Sequence, residues 1–385
     1  MKIVVVCDVL GEENNGTTVA TMNFIRHLKK KHDVKVLCAD EARKGQEGFY
    51  VVDNLHLGKL LDKYIEKVGV TLAKSDKNLI IEVLSGADHV HIMLPFFLGV
   101  AACNIAKKLN IPITAGFHMQ AENFTSHVKL NRSHIANHMV YKVINKILYS
   151  KADGIHFPTK FIKDMFERHV KYETNGYVIS NGVNEAVCKM DVSKPLEYKD
   201  KIVILSVGRY AREKSQDTLI KAIAKSKHKS NIKLILAGQG PKYTKYKKLA
   251  DRLGVDTTFK LMNRQELTNT INFSDIYVHS AEIELEGIAC LEAIVCGKLT
   301  IVSNSKLSAT KNFAVSNECM FKNRCPYSLA KRIDFFIENP NRIKKFEALY
   351  LEKGSDYKLS ECMDKMEKMI LDVQRIAYEK EDNIF

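Results

Sequence analysis

Apolar residues recur along this chain in two alternating rhythms. Short, largely apolar runs stand at 2–7, 34–38, 89–93, 111–117, 154–158 and 177–180, and again at 202–207, 234–237, 257–261, 276–279 and 299–302. Between them apolar positions return every three or four residues, as at Val19, Met22, Ile25 and Leu28. Runs with no polar alternation fit strands buried on both faces of a parallel sheet, and the helical period marks the segments that cross back over it. The class is therefore α/β. Residues 57–85 and 127–149 read as helical, as does the chain beyond 326, where Asn339-Pro340 breaks one helix. Residues 189–200 are polar, contain Pro195 and lack a period, which marks a domain boundary. We expect an N-terminal domain over 1–188, a C-terminal domain over 189–356, and a last helix, about 357–385, that packs back on the first domain.

In open α/β sheets ligands bind at the carboxyl ends of the strands, so the loops there were read for chemistry. The densest stretch is Ser280–Gly297. Ile288, Leu291 and Val295 form a helical stripe, and Glu292 shares its apolar side, where an unpaired carboxylate is costly. Glu284 lies in the preceding loop. Gly287, at the helix start, lets backbone N–H groups approach an anion. Two solvated glutamates and a turn glycine are the plain alternative. Arg209 and Lys214 flank the turn after 202–207 and can face a diphosphate; surface charge is the alternative. The loop after the first strand lacks Gly-x-Gly-x-x-Gly, so a dinucleotide cradle is not supported, but Gly16, Thr17 and Thr18 can touch a phosphate or hydroxyl, or simply cap a helix. His118 ends a strand at the ligand edge, with Gln120 and Glu122 beside it; a packed histidine is the alternative.

Charge narrows the partners. Lys and Arg number 59 against 45 Asp and Glu, a net charge of +14, which favours anionic partners. No nucleic-acid motif accompanies it. Ile135, Met139, Val143 and Ile147 form one stripe of the 127–149 segment, among Lys129, Arg132, His134, His138, Lys142 and Lys146. Such a helix lies on an anionic bilayer or packs its stripe on the protein's own core. Nine scattered cysteines read as reduced core residues of a cytosolic chain, and no Cys-x-x-Cys pair or His/Cys cluster suggests zinc. No Asp-x-Asp pair is present, no apolar run approaches a membrane span, and the start does not read as a signal peptide.

Five blocks in order then resemble glycosyltransferase family 4, the retaining sugar transferases of the GT-B fold. They are Asn181-Gly182-Val183, Val207-Gly-Arg209-x-x-x-Glu213-Lys214, Leu236-Ala-Gly238-x-Gly240-Pro241, Phe259-x-x-x-x-Arg264-x-Glu266-Leu267, and Glu284-x7-Glu292 with a later Cys-Gly. The resemblance implies two Rossmann-like doubly wound domains facing across a cleft. It implies that Arg209 and Lys214 hold a donor diphosphate, Glu292 the ribose, and Glu284 with the Gly287 backbone the transferred sugar. Gly16, Gly208, Gly238, Asn263 and Ile288 would complete the donor site, and His118 would sit beside the sugar on the acceptor side. The family's Pro-Ser before the first glutamate is His279-Ser280 here, with one extra residue, so Glu282 and Glu284 compete for that role. Retention needs no dedicated protein base, and the donor is a nucleotide sugar, with no cofactor and no metal required. The 117–124 stretch, the 14–18 loop and the basic helix look most like bacterial diacylglycerol glucosyltransferases. That likeness implies a UDP-sugar donor, a lipid or saccharide acceptor met by Thr17, Gln120, Glu122, Lys129 and Arg132, and peripheral binding at the cytoplasmic face of the cell membrane. A soluble or polysaccharide acceptor, a nucleotide-sugar epimerase and a non-catalytic binder of acidic polymers remain as alternatives.

Overall fold

The structure is a computed structural model that describes residues 1–8, 10, 16–55, 58, 73–126, 130 and 133–382. The chain divides into two compact units, Met1–Asn181 with Ser360–Phe385, and Gly182–Leu359. The first unit contains strands β1 (Lys2–Cys7), β2 (Asp33–Cys38), β3 (Phe49–Val51), β4 (His89–Ile92), β5 (Ile113–Gly116), β6 (Gly154–Phe157) and β7 (Gly176–Val178). They form one sheet in the order β3-β2-β1-β4-β5-β6-β7, with every pairing parallel. Helices α1 (Gly16–Leu28), α2 (Lys77–Leu84), α3 (Phe97–Lys108), α4 (Ala121–Ser126), α5 (His134–Ile147) and α6 (Lys160–Val170) belong to the same unit. The C-terminal helix Leu359–Asp382 returns to it, burying Met363, Met366, Met369, Ile370 and Val373. The reason for the sheet is visible in β1, where Ile3 to Cys7 are all buried and a parallel central strand has two faces to cover.

The second unit repeats the plan with β8 (Ile202–Val207), β9 (Ile232–Ala237), β10 (Thr257–Lys260), β11 (Ile276–His279), β13 (Thr300–Ser303) and β15 (Met320–Phe321), in the order β10-β9-β8-β11-β13-β15. A small parallel pair, β12 (Ile283–Glu284) with β14 (Leu307–Ser308), stands apart from that sheet. Its helices are α7 (Gln216–Ile223), α8 (Tyr243–Leu253), α9 (Arg264–Phe273), α10 (Ile288–Val295), α11 (Pro326–Glu338) and α12 (Pro340–Gly354). In each sheet the order reverses once, between β1 and β4 and between β8 and β11. Loops at such a switch point diverge and leave a crevice.

Several boundaries differ from the sequence reading. The chain enters the second unit at Gly182, ahead of the polar run 189–200, because Val183 and Val187 already belong to the second core and Val183 donates its N–H to Tyr357 O at 2.7 Å. It leaves after Leu359, whose N–H returns to Val183 O at 2.9 Å. The helix expected over 127–149 is α5, and its stripe is turned the other way. Ile135, Met139 and Val143 are 74%, 62% and 54% exposed, whereas Asn137, Tyr141 and Ile144 are buried. On the inward face the Tyr141 hydroxyl donates to Glu122, Asn137 accepts from the Thr125 hydroxyl, and the Tyr141 ring packs on Phe117 and Phe166, so buried polar and aromatic contacts together face this side inward. Of the helix expected over 57–85, only α2 lies within the described residues.

Candidate functional site

The two loops at the switch point of the second unit carry most of the residues singled out from the sequence. After β8, Gly208 donates its N–H to Ala237 O at 2.9 Å and Tyr210 to Gln239 O at 2.8 Å, so this loop lies against the one after β9. The approach is too close for a side chain: a Cβ on Gly238 would stand 2.3 Å from Gly208 O. Gln216 Nε2 donates to Arg209 O at 2.9 Å. The loop after β11 is tied to the same segment, through Ser280 Oγ to Lys214 O at 2.9 Å and Glu282 N–H to Glu213 O at 2.7 Å.

Charge is concentrated where these loops meet. Lys214 Nζ lies 2.5 Å from Glu284 Oε2, and His279 Nε2 lies 3.1 Å from the same oxygen. His279 Nδ1 is in turn 3.2 Å from the Tyr277 hydroxyl. Burial alone would raise the Glu284 carboxyl, but the charge of Lys214 and the contact with His279 outweigh it and hold the group at about 2. Burial likewise pulls the Lys214 ammonium down, and Glu284 more than restores it, leaving it above its ordinary value while the nearby Arg209 charge opposes. Both partners are ionised at neutral pH. Glu282 points elsewhere, to Arg324 Nη2 at 2.8 Å, so Glu284 is the glutamate that meets Lys214.

Glu292 projects from α10, where burial raises its carboxyl against the pull of an ion pair with Arg264. Both glutamate charges reach the buried Tyr277 phenol, which places them around one side chain. Gly287 opens α10 with φ +92°, and a Cβ there would stand 2.6 Å from Thr310 Cγ2. No side chain caps α10, whose first residue is Ile288. Asn263 is the N-cap of α9 and forms a capping box with Glu266, so its side chain already has backbone work. Arg264 and His279 were not singled out as site residues. Arg264 stood in a quoted block, and the buried position of Glu292 calls for a cation that helical spacing alone cannot name.

The first unit gathers a different set. Asp8 follows β1, is fully buried, and accepts the N–H groups of Leu98 at 2.8 Å and Gly99 at 3.1 Å at the start of α3. Burial pushes its carboxyl up to about 6 despite those bonds. His118 follows β5 with its ring 5.4 Å from that of His156; its Nε2 is buried without a hydrogen-bond partner, and burial lowers it to about 3, so it is neutral at pH 7. His89 Nε2 and His91 Nδ1 share the Thr114 hydroxyl at 2.8 Å each. Gly16 and Thr17 lie in the first turn of α1. Gln120 and Glu122 are buried, Glu122 accepting from Tyr141 at 2.7 Å, which makes this carboxyl an internal brace and not a surface contact. Lys129 and Arg132, expected at an acceptor or membrane, lie outside the described residues, as do Asn14 and Asn15 of the 14–18 loop.

This geometry, with switch-point loops carrying paired cations and carboxylates in one unit, agrees with the sequence families that match. Residues 14–187 match the model described as Glycosyltransferase Family 4, and residues 189–348 the model described as Glycosyl transferases group 1. The chain belongs to glycosyltransferase family 4. Among its relatives is the alpha-monoglucosyldiacylglycerol synthase of Streptococcus pneumoniae, 25% identical over 224 residues, which are 54% of this chain and 50% of that protein. The chain spans about half the length of the curated relatives it matches. The catalytic domain of the cholesterol-alpha-glucosyltransferase of Helicobacter pylori is 38% identical, covering 40% of this chain and 99% of that one, at a TM-score of 0.38. Over 97% of this chain and all of the other, the fold matches that of Anabaena HepE, solved in complex with UDP-glucose, with a TM-score of 0.74 at 16% identity. The fold is GT-B.

Proposed function

We propose that the protein transfers a hexose, glucose in the first instance, from a UDP-sugar to a lipid acceptor such as diacylglycerol, with retention at the anomeric carbon, at the inner face of the cell membrane. One observation carries the donor half: a lysine and a histidine converge on Glu284 beside the glycine-led start of α10. Arg209 and Lys214 bind the diphosphate, and the first N–H groups of α10 add a fixed positive dipole. Departure of the nucleoside diphosphate concentrates negative charge on its outer oxygen, which these groups stabilise without rearranging. They supply the positive charge that the leaving group requires, so the transfer does not call for a metal. Glu284 and the Gly287 backbone orient the sugar hydroxyls. Glu292, held by Arg264, receives the ribose. The departing phosphate oxygen takes the acceptor proton; in the first unit, neutral His118 keeps an unpartnered Nε2 able to meet a ligand hydroxyl.

The acceptor half rests on the outer face of α5 and its neighbours. Ile135, Met139 and Val143 with Phe124 and Leu130 form an exposed apolar set, and Lys142 and Lys146 are exposed on the same helix. Inserting such side chains into a bilayer removes about 1.5–3 kcal/mol of exposure cost each, and basic residues draw the helix to anionic lipid. This fits the relative named for a glucosyldiacylglycerol product. Among the described residues no helix is long and apolar enough to cross a membrane. A donor screen followed by UDP or GDP release, with and without lipid extract, tests the whole assignment. UDP release that requires UDP-glucose and lipid together supports it. Release dependent only on a soluble saccharide overturns the lipid acceptor, and interconversion of the donor with no acceptor present identifies an epimerase.

A further inference from the structure

A second cluster of titratable groups lies in the first unit, unconnected with the transfer chemistry. His27, near the end of α1, places Nε2 3.0 Å from Glu367 Oε2, 340 residues downstream, and 3.5 Å from Asp364 Oδ1, both on the C-terminal helix. These three ligand-capable atoms all lie within 4.8 Å of one another. His32 Nε2 takes the other Glu367 oxygen at 3.0 Å. The carboxylates at 364 and 367 are three apart, on one face of their helix. His27 and Glu367 are buried at 8% and 7% exposure, and Asp364 is exposed at the mouth.

The present cation there is an ammonium. Lys31 Nζ stands 2.9 Å from Glu367 Oε2 and 3.9 Å from Asp364 Oδ1, at the open side of the cluster. An imidazole nitrogen and two carboxylate oxygens are the donor set of a borderline divalent ion, with His32 holding the outer oxygen of the ligating carboxylate as a supporting contact. Lys31 has a side chain 55% exposed and can swing into water.

We propose that His27, Asp364 and Glu367 form a binding site for a divalent transition-metal ion of the Zn²⁺ or Co²⁺ class, which displaces the Lys31 ammonium and clamps the C-terminal helix to α1. The lysine gives the site a signature that a plain ion-pair network lacks. Lys31→Met removes a competing cation, so it tightens metal binding; in a network that serves packing alone it only weakens the structure.

Co²⁺ titrated into the chelator-stripped full-length chain, followed by calorimetry and visible absorption, is the test. One equivalent should bind, without a thiolate charge-transfer band, and should raise the melting temperature. Glu367→Gln and His27→Ala should weaken binding at least ten-fold, and Asp364→Asn, on an exposed side chain, should weaken it several-fold in a protein that folds normally. Lys31→Met should tighten it several-fold, while His138→Ala, at a separate histidine group, should leave it unchanged. Absence of saturable binding, binding unaltered in both His27→Ala and Asp364→Asn, a thiolate band, or weaker binding in Lys31→Met would each overturn the site.

Discussion

The two units bury polar groups by opposite means. At the switch point of the second, acidic side chains sit with basic partners: Glu284 with the Lys214 ammonium and the His279 ring, Glu292 with Arg264, Glu282 with Arg324. In the first unit, polar groups are buried as neutral imidazoles or against backbone: Asp8 on two N–H groups, His118 with an unpartnered Nε2, His89 and His91 on one threonine. A site of paired charges is preorganised for a ligand that arrives and leaves charged, because its cations can turn to the ligand while the carboxylates keep other partners. Buried neutral imidazoles suit hydroxyl groups, which need hydrogen bonds and no compensating charge.

The contrast is broken most directly at Glu284. Glu284→Gln keeps the shape and removes the charge, and sugar transfer should fall about 100- to 1,000-fold, as for other preorganised groups. Steady-state product formation checks this, and a loss under ten-fold would separate Glu284 from the chemistry.

The next effect lies in the first unit. Asp8 has its folded-state value raised from 3.8 to about 6, so the folded protein holds the proton more tightly than the unfolded chain. Stability from this group is therefore fully present below about pH 4 and is lost as pH rises through 6, by about 3 kcal/mol at about 1.4 kcal/mol per unit. Comparing urea midpoints of the wild type and Asp8→Asn across that window should show a decline in the first that is flattened in the second. Glu284 has the opposite sign: its contribution is present above about pH 4.5 and disappears as pH falls toward 2.

Smaller again is Arg264→Ala, which leaves a buried carboxylate unpaired and should cost about 2 kcal/mol in the urea midpoint, with Glu292→Gln added in the same chain restoring part of it. The smallest effect on stability belongs to Ile135→Ser with Met139→Ser. Both side chains face outward, so the change should stay within about 0.5 kcal/mol while recovery on anionic vesicles drops several-fold. Equal recovery would remove the membrane role from α5.

Much of this was legible in the residues. Apolar runs marked eleven of the strands, and Gly208, Arg209, Lys214, Gly287 and the two glutamates marked the second switch point, because loop chemistry there is local in sequence. What stayed hidden depends on distance. Arg264 meets Glu292 across 28 residues, Lys214 meets Glu284 across 70, and the C-terminal helix meets α1 across more than 300. The orientation of α5 was hidden for another reason: its stripe is the more apolar face, yet the buried polar and aromatic contacts of Asn137 and Tyr141 face the other side inward. Periodicity reports that a face is apolar, not which side such contacts turn inward.

The central claim is that the charges around Glu284 are a diphosphate site held ready by that carboxylate. Calorimetric titration of UDP alone into wild type, Lys214→Met and Glu284→Gln tests it without reference to any acceptor. The account expects Lys214→Met to bind UDP at least ten-fold more weakly and Glu284→Gln, which frees the lysine, to bind it no more weakly than wild type. Equal UDP affinity in wild type and Lys214→Met would contradict it.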